Sequence, residues 1–209
     1  MNPSLISRSL VKDDLSAVRS LCIASFPIEY PDTWYDDVVS GSLTSIGLFD
    51  VDRLVGVIVA EYKYLLHCNP EDRSILSDDV GPVVYILSLA VSSDARRQGI
   101  ASRLLKEVLQ VYSKEQGYPD RELPRAFFLH VLSTNAAAIS FYLRHGFILH
   151  DTLPNYYRLR DSFGDGLTYV LYVNGGRKAY SWSDLCRLAS SFLCSPLKRM
   201  IKFDNSHCS

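Results

Sequence analysis

The sequence predicts an α/β fold (in the wider sense α+β): a mixed β-sheet flanked by helices. Two segments, Val83–Val91 and Ala126–Leu132, are almost continuously apolar, the pattern of strands covered on both faces. Between them Leu104, Leu105, Val108 and Leu109 recur at helical spacing, so a helix connects the two strands. Apolar residues make up 47% of the 209 residues, enough to build a sizeable core beneath such layers.

The remaining elements follow in chain order. Leu5–Val11 is a strand candidate, and Asp13-Asp14 supplies cap chemistry for a helix reaching Ser25. Two prolines make Phe26–Pro31 a turn or ordered loop, and Asp32 can cap a short helix reaching Val39. Ser45–Phe49 and Leu54–Tyr64 flank Asp50–Arg53 as a hairpin. Cys68–Gly81 is polar, contains Pro70 and reads as a surface loop. After the second buried strand, Thr134-Asn135 opens a helix that stops at Gly146. Phe147–Leu149 and Leu167–Val173 are the last strands, separated by an aromatic loop, Leu153–Tyr157. The main domain spans residues 1–176, and 177–209 form a tail.

Net charge is −1, which argues against a globally basic nucleic-acid binder. The charge is nevertheless uneven. From Arg177 onward there are 6 basic and 2 acidic residues, against 16 and 21 before it. Five cysteines without a C-x-x-C pair give neither a disulfide framework nor a metal site. Neither a signal peptide nor a membrane-spanning run is evident, and a reducing, cytosolic setting is expected.

The most informative segment is Leu89–Leu105. A buried strand enters a short basic turn, Arg96-Arg97-Gln98-Gly99, and a helix follows. The first turn of a helix leaves backbone N–H groups unpaired, and with the helix dipole these make an anion site. Gly99 and Ala101 permit close backbone approach, and the two arginines add charge suited to a pyrophosphate. Neither G-x-x-x-x-G-K-[ST] nor G-x-G-x-x-G occurs, so two common phosphate loops are excluded. From the turn alone, an ordinary strand-to-helix connection with solvated arginines stands as an equal reading.

Arg96-x-x-Gly99-x-Ala101 resembles the acetyl-CoA signature Q/R-x-x-G-x-G/A of the GCN5-related N-acetyltransferases (GNAT). Asn135-x-x-Ala138-x-x-Phe141-Tyr142-x-x-x-Gly146-Phe147 resembles that family's second motif, in the right order and separation. The resemblance covers roughly residues 5–174 and implies a GNAT fold, in which the central sheet is splayed. Acetyl-CoA would lie between the two buried strands. The backbone of Leu89, Ala90 and Val91 would meet its pantetheine arm, and the amides of Arg97, Gln98, Gly99, Ile100, Ala101 and Ser102 its pyrophosphate. Asn135, Tyr142, Leu143, Arg144 and His145 would flank its other side; Tyr142 also reads as helix packing, and Phe141 as core. No metal is expected.

Direct attack by an amine requires a neutral, well-aimed nucleophile, a stabilised oxyanion and a proton acceptor. Tyr85 and His130, one on each buried strand, are the candidate bases, acting through water. On their own strands they read equally as a buried aromatic and a satisfied core histidine. An α-amine, with a pKa of about 7.7–8.0 against about 10.4 for lysine, is the easier group to deprotonate. The resemblance implies that lysine acetylation more often recruits a carboxylate, and no Asp or Glu lies on either strand, which supports an N-terminal substrate.

The loop Phe26-Pro27-Ile28-Glu29-Tyr30-Pro31-Asp32-x-Trp34-Tyr35, with Tyr85–Leu89, Leu129–Leu132 and Thr168–Gly176, is similar to the NatF-type, Golgi-associated N-α-acetyltransferases. That similarity implies that Phe26, Glu29, Tyr30, Leu87, Tyr156 and Tyr157 contact a peptide N-terminus. Methionine-starting peptides (Met-Lys, Met-Val, Met-Ala, Met-Leu) are the implied substrates, with histone lysines secondary and a non-catalytic acetyl-CoA-binding adaptor the contrasting class. Phe26 and Tyr30 also read as anchors of a proline-constrained loop.

In the tail, Trp182, Leu185, Ala189, Phe192 and Leu193 share one helical face, followed by the basic stretch Leu197–Phe203. An amphipathic segment of this kind suits a membrane interface, and equally a packed or homodimeric helix. The resemblance implies peripheral attachment to the cytosolic side of Golgi membranes.

Overall fold

The computed structural model describes residues 5–77, 80–113, 122–159 and 162–178. The expected tail helix and the three tail cysteines lie outside the described residues. β1 (Leu5–Ser9) is followed by a short 3-10 turn, α1 (Leu15–Ser25) and α2 (Asp32–Ser40). A hairpin of β2 (Thr44–Asp50) and β3 (Arg53–Tyr64) leads to β4 (Pro82–Val91), α3 (Ile100–Val111) and β5 (Ala126–Leu132). α4 (Ala136–Arg144), β6 (Ile148–Arg158) and β7 (Phe163–Tyr172) complete the order.

The seven strands form one sheet in the order β1-β2-β3-β4-β5-β7-β6. Every pairing is antiparallel except β4 with β5. That parallel pairing covers only Val83–Tyr85 opposite Ala126–Phe128. Beyond it β4 stays with β3, and β5 stays with β7 out to Leu132 opposite Gly166. The sheet therefore splits into a fork whose apex is at Tyr85 and Phe128.

One face is covered by α3 and α4, where Ile100, Leu104, Leu105 and Val108 pack with Ile58, Ile86, Leu129 and Phe147. The opposite face carries α1 and α2 over β2, β3 and the end of β4. A third cluster lies under the β3–β4 connection, where Leu65, Cys68, Ile75 and Leu76 meet Val83, Phe128 and Val170.

Three local expectations are corrected. Cys68–Gly81 is not simply surface: Ile75 and Leu76 are fully buried and Asp72 is 2% exposed. Its apolar residues close the lower sheet face, and its polar ones ride on that anchor. The aromatic segment Leu153–Tyr157 belongs to β6, with an irregular register in which Leu153 faces Gly166 and Tyr157 faces Gly164. Pro154 and Asn155, the latter at φ 54°, absorb the excess length as a bulge instead of ending the strand. Finally, Asp14 does not cap α1. Its carboxylate accepts from the Val11 N–H (2.9 Å) and from Arg8 (2.7 and 2.8 Å), which ties β1 to the turn.

Candidate active site

The fork opens into a cleft of about 860 Å³ between β4, α3 and α4. Leu89, Ala90 and Val91 form one wall, and Arg97, Gly99, Ile100, Ala101 and Ser102 form its end. Asn135, Tyr142 and Arg144 stand opposite, and Phe26 closes the α1 side. Gln98, Leu143 and His145 do not line it. Gln98 donates to the Asp94 carbonyl at 3.3 Å, Leu143 is 50% exposed, and His145 Nδ1 bonds the Phe141 carbonyl at 2.8 Å. Phe141, read as core, packs against the core cluster and also reaches the cleft wall, which Ser25, Pro27, Arg96 and Ala138 share.

The end of the cleft is built by backbone strain. Arg97 (φ 63°) and Gly99 (φ 82°) both occupy the left-handed region, which turns the chain sharply into α3. A glycine takes that conformation without steric cost. No side chain caps α3, and Gly99, Ile100, Ala101 and Ser102 at its start line the cleft, so its unpaired first amides lie at the cleft's end. Along the fork, no strand among the described residues lies beside the edge of β4 beyond Tyr85. Apart from the Val91 carbonyl, which accepts from Arg96 Nε at 3.2 Å, that edge can pair with an extended ligand. An anion at one end and a strand-like arm along β4 are what the pyrophosphate and pantetheine of acetyl-CoA present.

At the apex, Tyr85 from β4 and His130 from β5 come within hydrogen-bond reach, with the hydroxyl 3.0 Å from Nδ1. Tyr85 stacks on Phe128, ring centroids 4.6 Å apart, and its ring has Lys63 Nζ 5.8 Å from its centroid. The other imidazole nitrogen, Nε2, lies 2.8 Å from Asp72 Oδ1, and both side chains are 2% exposed. A carboxylate only accepts, so Nε2 carries the proton and Nδ1 presents its lone pair. Tyr156 also places its hydroxyl 2.9 Å from Nδ1. It can do so because its ring lies on Gly166, where a Cβ would come within 3.0 Å of it. Burial drives the Tyr85 hydroxyl well above its ordinary pKa and pushes Tyr156 up to about 12, so both stay protonated at neutral pH.

Asp72 was out of reach of sequence reasoning, which looked for carboxylates on the two strands alone. The available signal was Ile75-Leu76, an apolar pair that draws the polar segment inward. A bulge on β4 was also not foreseen. Val59 faces Ser88 and Ala60 faces Ile86, leaving Leu87 as the unpaired extra residue beside the apex. Tyr30 stacks on Trp34 at 4.0 Å and meets Phe26 edge-on at 5.8 Å, so both are packed, and Phe26 also lines the cleft. Glu29 is exposed, and Tyr157 is half-buried and edge-on to Tyr156 at 5.1 Å.

Residues 12–147 match the acetyltransferase (GNAT) family model. The chain belongs to the GNAT acetyltransferase family. The N-alpha-acetyltransferase 60 of Xenopus tropicalis is 40% identical over 192 residues, covering 90% of this chain and 78% of the relative. Among solved structures, Arabidopsis thaliana NAA60 in complex with a bisubstrate analogue aligns with TM-score 0.73 at 28% identity, covering 82% of this chain and 99% of that one. The same protein in complex with acetyl-CoA aligns with TM-score 0.72 at 26% identity, over 82% and 99%. This GNAT chain is thus a NatF-type acetyltransferase with the family's splayed sheet. Among the described residues, no group of His, Cys, Asp and Glu could hold a metal ion.

Proposed function

We infer that the protein transfers acetyl from acetyl-CoA to the free N-terminal amine of a peptide chain, with His130 as proton acceptor and Tyr85 as the hydroxyl that reaches it. The supporting observation is the chain Tyr85–His130–Asp72 at the apex of the fork. The sequence reading treats Tyr85 and His130 as two bases, but their surroundings divide the work. Tyr85 holds its proton too tightly to be a phenolate, so it passes a proton from the amine side to Nδ1. Asp72 fixes the tautomer and faces the charge that His130 acquires. The N–H of Leu87, the residue that the β4 bulge leaves without a register partner, is the donor for the oxyanion.

Two features favour an N-terminal amine. A neutral imidazole is a fair match for an α-amine, whereas deprotonating lysine costs roughly 3 kcal/mol more. The aromatic rims, Phe26 and Tyr30 on one side and Tyr156 and Tyr157 on the other, narrow the approach to one extended chain end. Glu29 and Leu87 complete the peptide contacts in this reading. Methionine-starting N-termini are the preferred substrates by similarity to the NatF type. The basic amphipathic tail would hold the enzyme as a peripheral protein on the cytosolic side of Golgi membranes; pairing into a homodimer and the lack of a nucleic-acid partner belong to the same reading. No helix among the described residues is long and apolar enough to cross a membrane.

Two peptides test the substrate class. One begins Met-Lys with a free α-amine; the other has that amine blocked and keeps the lysine. Mass spectrometry after incubation with acetyl-CoA is expected to find acetyl on the α-amine of the first and none on the second. Equal or preferential modification of the blocked peptide would make the enzyme a lysine acetyltransferase.

A further inference from the structure

The Nδ1 atom of His130 has one lone pair and two tyrosine hydroxyls aimed at it, Tyr85 at 3.0 Å and Tyr156 at 2.9 Å. An imidazole nitrogen accepts one well-directed hydrogen bond. The distances do not favour either donor, and Asp72 closes the opposite nitrogen. Tyr85 approaches from β4, on the inner side of the fork. Tyr156 approaches from β6, at the rim, held by Gly166 beneath it.

From this geometry we propose that Tyr156 is a second proton carrier on His130, interchangeable with Tyr85, and more than a wall of the peptide channel. The proposal rests on the reading of His130 as the base. In either route, the O–H bond of the tyrosine breaks as Nδ1–H forms, and the same oxygen regains a proton from the water or ammonium in front of it. The net change is one proton moved from the substrate ammonium to the imidazole, facing Asp72. A hydroxyl is needed in each case, and phenylalanine at either position removes one route while keeping the ring packing on Phe128 or Gly166.

Redundancy of this kind has a kinetic signature in a double-mutant cycle. The variants are Tyr85→Phe, Tyr156→Phe and the pair, measured at saturating acetyl-CoA over a range of Met-Lys peptide concentrations. Tyr156→Phe in the wild-type background is expected to change kcat by less than about threefold. In the Tyr85→Phe background the same change is expected to lower kcat at least about tenfold, a coupling of about threefold or more, or about 0.7 kcal/mol at least. Unchanged acetyl-CoA binding in all three shows that the fold is intact. If Tyr156→Phe has the same kcat factor in both backgrounds, or acts on KM alone, Tyr156 is a peptide contact only and the inference fails. His130→Ala, run alongside, separates this from failure of the underlying reading: if that variant keeps wild-type kcat, His130 is not the base at all.

Discussion

His130→Ala is expected to lower kcat about 10²–10⁴-fold, the usual worth of a positioned acid–base group. Acetyl-CoA affinity should stay near wild type, because the cleft that lies along β4 and α3 does not include His130. The variant removes the imidazole acceptor that Tyr85 reaches, while Tyr85 itself remains a protonated phenol. Asp72→Asn is the informative companion. An amide nitrogen donates to Nε2 where the carboxylate accepted, which moves the ring proton to Nδ1, the atom that must stay open. Its loss should be smaller than that of His130→Ala and should appear in kcat, not in peptide KM. Stopped-time assays with a Met-Lys peptide measure both, and a His130→Ala rate within threefold of wild type would move the base elsewhere.

The second large effect is on stability. Leu104 is wholly buried and sits in the core between α3 and the sheet, one turn beyond the amides at the end of the cleft. Leu104→Ala is expected to cost about 2–5 kcal/mol, through lost transfer energy and the cavity left behind. For a chain of this size that lowers Tm by roughly 5–15 °C. The same variant loosens the seat of α3, so KM for acetyl-CoA should rise more than KM for peptide. Thermal melting with and without acetyl-CoA checks both parts. A melting point within 2 °C of wild type would show that the site collapses around the smaller side chain.

Much of this architecture was legible because its signals are local. The apolar runs of β4 and β5, the spacing of Leu104, Leu105 and Val108, and the turn at Gly99 depend on neighbours a few residues away. Tyr85 and His130 could be paired on paper because both lie on recognisable strands. What escaped depends on contacts distant in sequence. Asp72 meets His130 across 58 residues, and nothing in a polar segment with a proline states which side chain turns inward. Tyr156 was read as part of a loop because Pro154 and Asn155 are turn residues, yet Gly166 across the sheet lets the strand continue past them. The bulge at Leu87 leaves no mark in composition, since one extra apolar residue in an apolar run looks like any other.

The narrow seam between β4 and β5 has a consequence for cooperativity. In the strand ladder three residue pairs join a unit built from β1 to β4 with one built from β5, β7 and β6, the rest of the connection being side-chain packing. Within each unit the antiparallel ladders are long, so each resembles an independently opening block in native-state hydrogen exchange. A ligand lying in the fork touches both blocks at once. It serves as mortar between them, and its occupancy makes amides on β4 and β5 slow together, where the empty protein lets each exchange at its own rate.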